Sequence, residues 1–144
     1  MVRDDPESVC DVMSTELQTV AENASLELAA RVMDDRNIRQ VLVADDDGRL
    51  VGILSYRAIL RVLTSLPAAE IEAGLPIGPL IDRDVPAFTP DTPIRTAVRR
   101  MVDERLSVVP VVEEGGRLVG VISEHDLIDL TGVLLARALR PGAC

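Results

Sequence analysis

The sequence predicts an α/β (α+β) fold, two β-α-β-β-α units packed with pseudo-two-fold symmetry, and three observations carry that prediction. An ungapped internal repeat runs through the chain at a spacing of 68 residues, as from Gly52 to Gly120 and from Ser55 to Ser123. Each copy changes from helical to strand periodicity at the same point. Each copy also holds only about 60 residues, marginal for a core of its own, so the two should pack their apolar faces together. The register is strict. Ala29, Arg31, Met33 and Asp35 return as Ala97, Arg99, Met101 and Asp103, and Gly48-Arg49-Leu50-Val51-Gly52 returns whole as Gly116-Arg117-Leu118-Val119-Gly120.

The elements follow in order. Leu26, Ala29, Ala30 and Met33 fall at i, i+3, i+4 and i+7, one apolar face of a helix, and Ile94, Ala97, Val98 and Met101 match them. In the second copy Thr92 and Pro93 supply an N-cap and a first helical residue. β-Branched runs come next, Val41 to Val43 and Val108 to Val112. Turn residues, Asp45-Asp46-Asp47-Gly48 or Glu113-Glu114-Gly115-Gly116, then lead into Leu50–Leu54 or Leu118–Ile122, as in a hairpin. A second helix closes each copy. The expected boundaries are 9–66 for the first repeat, 67–79 for a Pro/Gly-rich linker with a helical turn over Ala68 to Ala73, 80–132 for the second repeat and 133–144 for a C-terminal tail. Met33 and Met101 belong to the core, and the two aromatic rings, Tyr56 and Phe88, are expected to pack.

Composition narrows the function. The 144 residues are 47% hydrophobic, enough for a core without metals or disulfides, and no apolar run approaches the roughly 20 residues of a membrane span. The acidic N-terminus lacks a secretory pattern, and Cys10 and Cys144 lie at opposite ends, which points to a cytoplasmic chain with free thiols. A net charge of -9 opposes nucleic-acid binding. All 15 basic residues are arginine, suited to bidentate phosphate or carboxylate contacts.

No catalytic group is expected. Ser123, His125 and Asp126 are too close in sequence to make a nucleophile–base–orienter line, and no G-x-S-x-G elbow surrounds the serine. One histidine and two distant cysteines cannot close a zinc site, and Asp45-Asp46-Asp47-Gly48 lacks a calcium-loop spacing, so no metal is expected.

One constellation stands out: Gly120, Val121, Ser123, His125 and Asp126, where a strand runs into a helix. Glycine would admit a ligand to the backbone, Ser123 offers a hydroxyl, the helix start offers N–H groups to a phosphate, and Asp126 can accept from two ribose hydroxyls. The same spacing, Ser123-x-x-Asp126, also describes a capping box with no ligand at all. The first copy keeps Ser55 but has Ala58 in place of the acid, so a helix can start there without it.

The duplicated unit, the strands ending in Gly-x-x-Ser, and Leu106-Ser107-Val108-Val109-Pro110-Val111-Val112 ahead of the Gly120–Asp126 run resemble the tandem CBS-domain pair, or Bateman module, over about residues 9–130. The resemblance implies a regulatory module that binds AMP, ADP, ATP or S-adenosylmethionine between its repeats, with no obligatory cofactor. It implies a homodimeric disc and a protein effector in trans. By its motif, Asp126 would meet ribose and Ser123 phosphate, with Val121, His125, Ser107 and Val108 along the same edge and Ala24, Ala29, Ile38 and Arg39 from the other repeat. A weaker second site would take Ser55, Arg57, Thr92 and Ala97. Leu42 for Pro110 and Ala58 for Asp126 depart from the pattern and imply one ligand per chain. The alternative is an oligomerisation or interaction module without a ligand.

Overall fold

A computed structural model describes residues 6–72 and 74–139, and Cys144, expected as a free thiol, lies outside them. The elements are β1 (Thr19–Ala21), α1 (Leu26–Arg36), β2 (Gln40–Ala44), β3 (Leu50–Ser55), α2 (Tyr56–Ser65), α3 (Ala68–Glu72), α4 (Ile94–Asp103), β4 (Val108–Val112), β5 (Leu118–Ser123) and α5 (Glu124–Ala138). The chain divides into two compact units that do not follow the repeat boundaries. One comprises Leu17–Val85 with Gly116–Leu118. The other comprises the segment ending at Glu16, Pro86–Gly115 and the segment from Val119 onward.

In the first-repeat unit β1 pairs parallel with β2, Val20 opposite Val43, and β2 pairs antiparallel with β3, Gln40 opposite Ser55. Leu26, Ala29 and Met33 of α1 are buried with Val41, Val43, Leu54 and Ile59. The Asp45 carboxylate closes the hairpin tip by accepting from the backbone N–H groups of Asp47 and Arg49, both at 2.9 Å, with Gly48 beyond it at φ 79°. That is a solvated turn, as its sequence suggested.

The second-repeat unit has the same plan with one strand reduced. β4 and β5 form a two-stranded sheet, and in place of β1 stands a single residue, Phe88, bridged in parallel to Val111. Phe88 donates to the Pro110 carbonyl and accepts from Val112 N–H. The neighbouring rungs would need N–H groups from Pro110 and Pro90, which have none. At the matching places the first repeat has Leu42 and Glu22, and there the ladder continues. Phe88 itself is buried among Val9, Ala97, Met101, Val109, Val111, Ile122 and Leu130. Tyr56 departs from expectation, standing exposed at the start of α2.

Each unit is completed by the segment that precedes the other repeat in sequence. Ser14 and Val121 exchange two backbone hydrogen bonds of 2.8 and 2.9 Å, and 68 residues on Asp82 and Ile53 do the same at 2.9 and 3.0 Å. Val9 N–H bonds to Thr92 O, and likewise Ile77 N–H to Ala24 O. Val9 and Ile77 are both fully buried, each in the core it has joined. The expected linker is therefore structural at its end. Its first half forms α3, and Ile77 contributes about 1.5–3 kcal/mol of burial to the first-repeat unit. Residues 133–138, at the start of the expected tail, continue α5.

Candidate functional site

β5 ends at Ser123 and α5 starts at Glu124, held in place by a hydrogen bond from Glu124 N–H to the Ser107 carbonyl, 3.0 Å. Ser123 and Asp126 form the capping box allowed by their spacing. The Asp126 Oδ2 accepts from Ser123 N–H at 2.8 Å and from the Ser123 hydroxyl at 3.2 Å. Both bonds fall on one carboxylate oxygen, and Oδ1 makes none among the described residues. Asp126 is half-buried at a helix N-terminus. It can cap with one oxygen and still present the other. Ser107, Val108, Val121 and Ser123 are likewise half-buried in this unit, and the His125 ring is exposed, its Nε2 3.9 Å from Asp129 Oδ2.

Gly120 has a different role from the one expected. A Cβ there would meet Met13 Sδ at 2.5 Å and Ser14 O at 3.1 Å, so the missing side chain makes room for the chain's own leading segment rather than for a ligand. Gly52 repeats the arrangement, with Ile81 and the Asp82 carbonyl in the space. No spacing rule marks Met13 and Ser14 in advance; the signal was available only as the 68-residue match of Met13 and Ser14 to Ile81 and Asp82.

The first-repeat junction is built alike without the acid. Ser55 caps α2 directly, its hydroxyl accepting from Ala58 N–H at 3.3 Å, and Tyr56 N–H bonds to the Arg39 carbonyl as Glu124 does to Ser107. Arg39 and Arg57 are both exposed in this unit. Beside them is a group the sequence reading missed: Gln40, opposite Ser55, carries a buried Oε1 without a hydrogen-bond partner.

Three expected contact residues are packing groups as placed. Ala29 and Ala97 are fully buried in the two cores, so neither offers surface to a ligand, and Ala24 is nearly so at 8% exposure. Ile38 is packed against the first core. Thr92 is not the N-cap of α4, a place Pro93 takes. Its hydroxyl instead accepts from Thr89 N–H in the preceding turn, 3.1 Å, because Pro93 at this register stands where Ser25 caps α1.

Among the described residues no group of three or more His, Cys, Asp or Glu side chains is placed to hold a metal ion, and no helix is long and apolar enough to cross a membrane.

Comparison with known proteins agrees with this architecture. The CBS domain family model matches residues 9–65 and 77–131. A homoserine O-acetyltransferase of Methanococcoides burtonii is 35% identical over 125 residues, 87% of this chain. The chain spans 24% of that relative, about a quarter of its length. Among solved structures, the CBS domain pair of protein MJ0100, crystallised with 5-methylthioadenosine and S-adenosyl-L-methionine, superposes with a TM-score of 0.73 at 28% identity, covering 88% of this chain and 98% of that one. The cytosolic domain of the Mg2+ channel MgtE in complex with ATP gives 0.71 at 27% identity, covering 88% of this chain and 49% of that one.

Proposed function

We propose that this chain, which belongs to the CBS domain family and carries the domain twice, is a non-catalytic regulatory module that binds one adenosine-type ligand at the β5–α5 junction. The ligands named for the two structural relatives, S-adenosylmethionine with methylthioadenosine and ATP, have adenosine in common. The observation that carries the reading is the Asp126 carboxylate: one oxygen is committed to the helix start, the other is open, and the first repeat starts the equivalent helix with no acid. Asp126 Oδ1 accepts from a ribose hydroxyl, while Ser123 and the N–H groups opening α5 meet a phosphate or the carboxylate of a methionyl tail, beside Val121, His125, Ser107 and Val108. The ligand acts by stabilising one conformation or assembly over another, because differential affinity is the only means by which it can shift an equilibrium. The output passes from a cytoplasmic homodimer to a protein effector in trans.

A thermal-shift screen against AMP, ADP, ATP, S-adenosylmethionine and GTP, with Asp126→Ala beside the wild type, tests this. A ligand at about 100 times its Kd stabilises by about 2.7 kcal/mol, a shift of several degrees for a chain of this size. The expected outcome is a shift with an adenosine ligand that disappears in Asp126→Ala. If none of the ligands moves the wild-type midpoint, Asp126 is a cap only and the chain is a ligand-free interaction module, a reading that the completed capping box favours.

A further inference from the structure

Each hairpin turn ends in an arginine, Arg49 after Gly48 and Arg117 after Gly116, and the first-repeat unit brings the two together. They pair as an antiparallel bridge. Leu50 N–H donates to the Gly116 carbonyl at 3.0 Å and Leu118 N–H to the Gly48 carbonyl at 2.9 Å, so the bonds fall on the residues either side and the arginines face each other as a non-hydrogen-bonded pair. In that register both side chains leave the ladder on one face, their Cβ atoms about 4.5–5.5 Å apart. Both residues are exposed. Here a residue meets its own copy, 68 positions on, and cation faces cation.

Like charges directly opposite on a ladder destabilise it. Carboxylates are close in sequence, in Asp45-Asp46-Asp47 ahead of Arg49 and Glu113-Glu114 ahead of Arg117, yet neither guanidinium makes an ion pair or a side-chain hydrogen bond among the described residues. Asp45 Oδ1 is spent on the backbone N–H groups of Asp47 and Arg49. The structure thus holds two adjacent guanidiniums, each a planar fork of N–H donors, without an acceptor for either. A doubly charged tetrahedral oxyanion accepts from both forks at once and cancels the repulsion between them. No neutral group does both.

We propose that Arg49 and Arg117 form an oxyanion clip that binds a phosphoryl group between their guanidiniums, as free phosphate or as the end of a polyphosphate chain. The bound oxyanion adds a side-chain tie to the two backbone bonds that join the hairpins. The clip uses none of the residues assigned to the adenosine ligand and is independent of that reading.

The test is a thermal-shift titration of the full chain, Arg49→Gln and Arg117→Gln with inorganic phosphate and with tripolyphosphate, each against sodium chloride at matched ionic strength so that general screening is subtracted. Both positions are exposed, and far-UV spectra check that the variants are folded. In chloride alone each variant should melt no lower than the wild type, because losing one charge removes the repulsion. A variant that melts lower there would show that the arginines are already satisfied and would count against the clip. At least one of the two phosphates should raise the wild-type midpoint, with an apparent Kd at least about tenfold weaker in either variant. Tighter binding of tripolyphosphate identifies a chain end as the ligand, and equal binding identifies free phosphate. No wild-type shift with either probe up to about 10 mM would overturn the proposal. So would a shift that persists unchanged in both variants, which would place the anion elsewhere on the chain.

Discussion

The two strand-to-helix junctions, Ser55–Ala58 and Ser123–Asp126, stand at the same place in their repeats and start a helix by different means. In the first, the serine hydroxyl accepts from the Ala58 N–H and nothing more is present. In the second, a carboxylate holds the Ser123 N–H and hydroxyl with one oxygen and keeps the other in reserve. Since the first junction shows that fold and helix start do without an acid, the acid of the second has capacity beyond the fold. A similar contrast runs along the outer helices, where α4 is lined with arginine and α1 with aspartate. The two repeats share one plan and differ at places that meet solvent as well as in the reduced first strand of the second.

The largest stability difference should come from the glycines, where the repeats look most alike. A Cβ on Gly52 would strike the backbone carbonyl of Asp82 and the Ile81 side chain, whereas one on Gly120 would first strike the flexible end of Met13. Gly52→Ala is therefore expected to destabilise by about 3 kcal/mol and Gly120→Ala by about 1 kcal/mol, measured by urea denaturation. Equal losses would show that the two leading segments are seated in the same way. A smaller contrast is expected at the caps. Ser55→Ala removes the only side-chain cap of α2 and should cost about 1 kcal/mol, while Ser123→Ala leaves Asp126 still bound to the backbone N–H and should cost about half of that. If Ser123→Ala proves the more costly, the carboxylate does not stand in for the serine.

Much of this was legible in the chain before any coordinates. The 68-residue register located both helices, both hairpins and the core methionines, because apolar periodicity reports directly which side of an element is buried. It did not show that each leading segment completes the opposite unit. Val9 and Ile77 belong to no periodic run, and tertiary pairing makes them core. The first strand of the second repeat was expected whole and is one residue long, although Pro90 and Pro110 together contained the reason. At the candidate site the serine and the acid were legible from spacing, with cap and ligand readings both open; hydrogen-bond geometry shows the cap is made and an oxygen is left. Gly120 was misread since a glycine reports that something approaches closely and does not say what. As ligand contacts Ala29 and Ala97 came from resemblance alone, whereas the apolar periodicity had placed them on the inner helix faces, where both are buried.

The central claim is that a ligand is held at one junction and that Asp126 holds it. Isothermal titration calorimetry of the wild type and Asp126→Asn, with S-adenosylmethionine and with ATP, tests this most directly because it counts sites. One of these ligands should bind the wild type at one molecule per chain, and Asp126→Asn should weaken it by at least about tenfold, the loss of one charge-assisted hydrogen bond at about 1.5–3 kcal/mol. Two molecules per wild-type chain, or an affinity unchanged by Asp126→Asn, would contradict it.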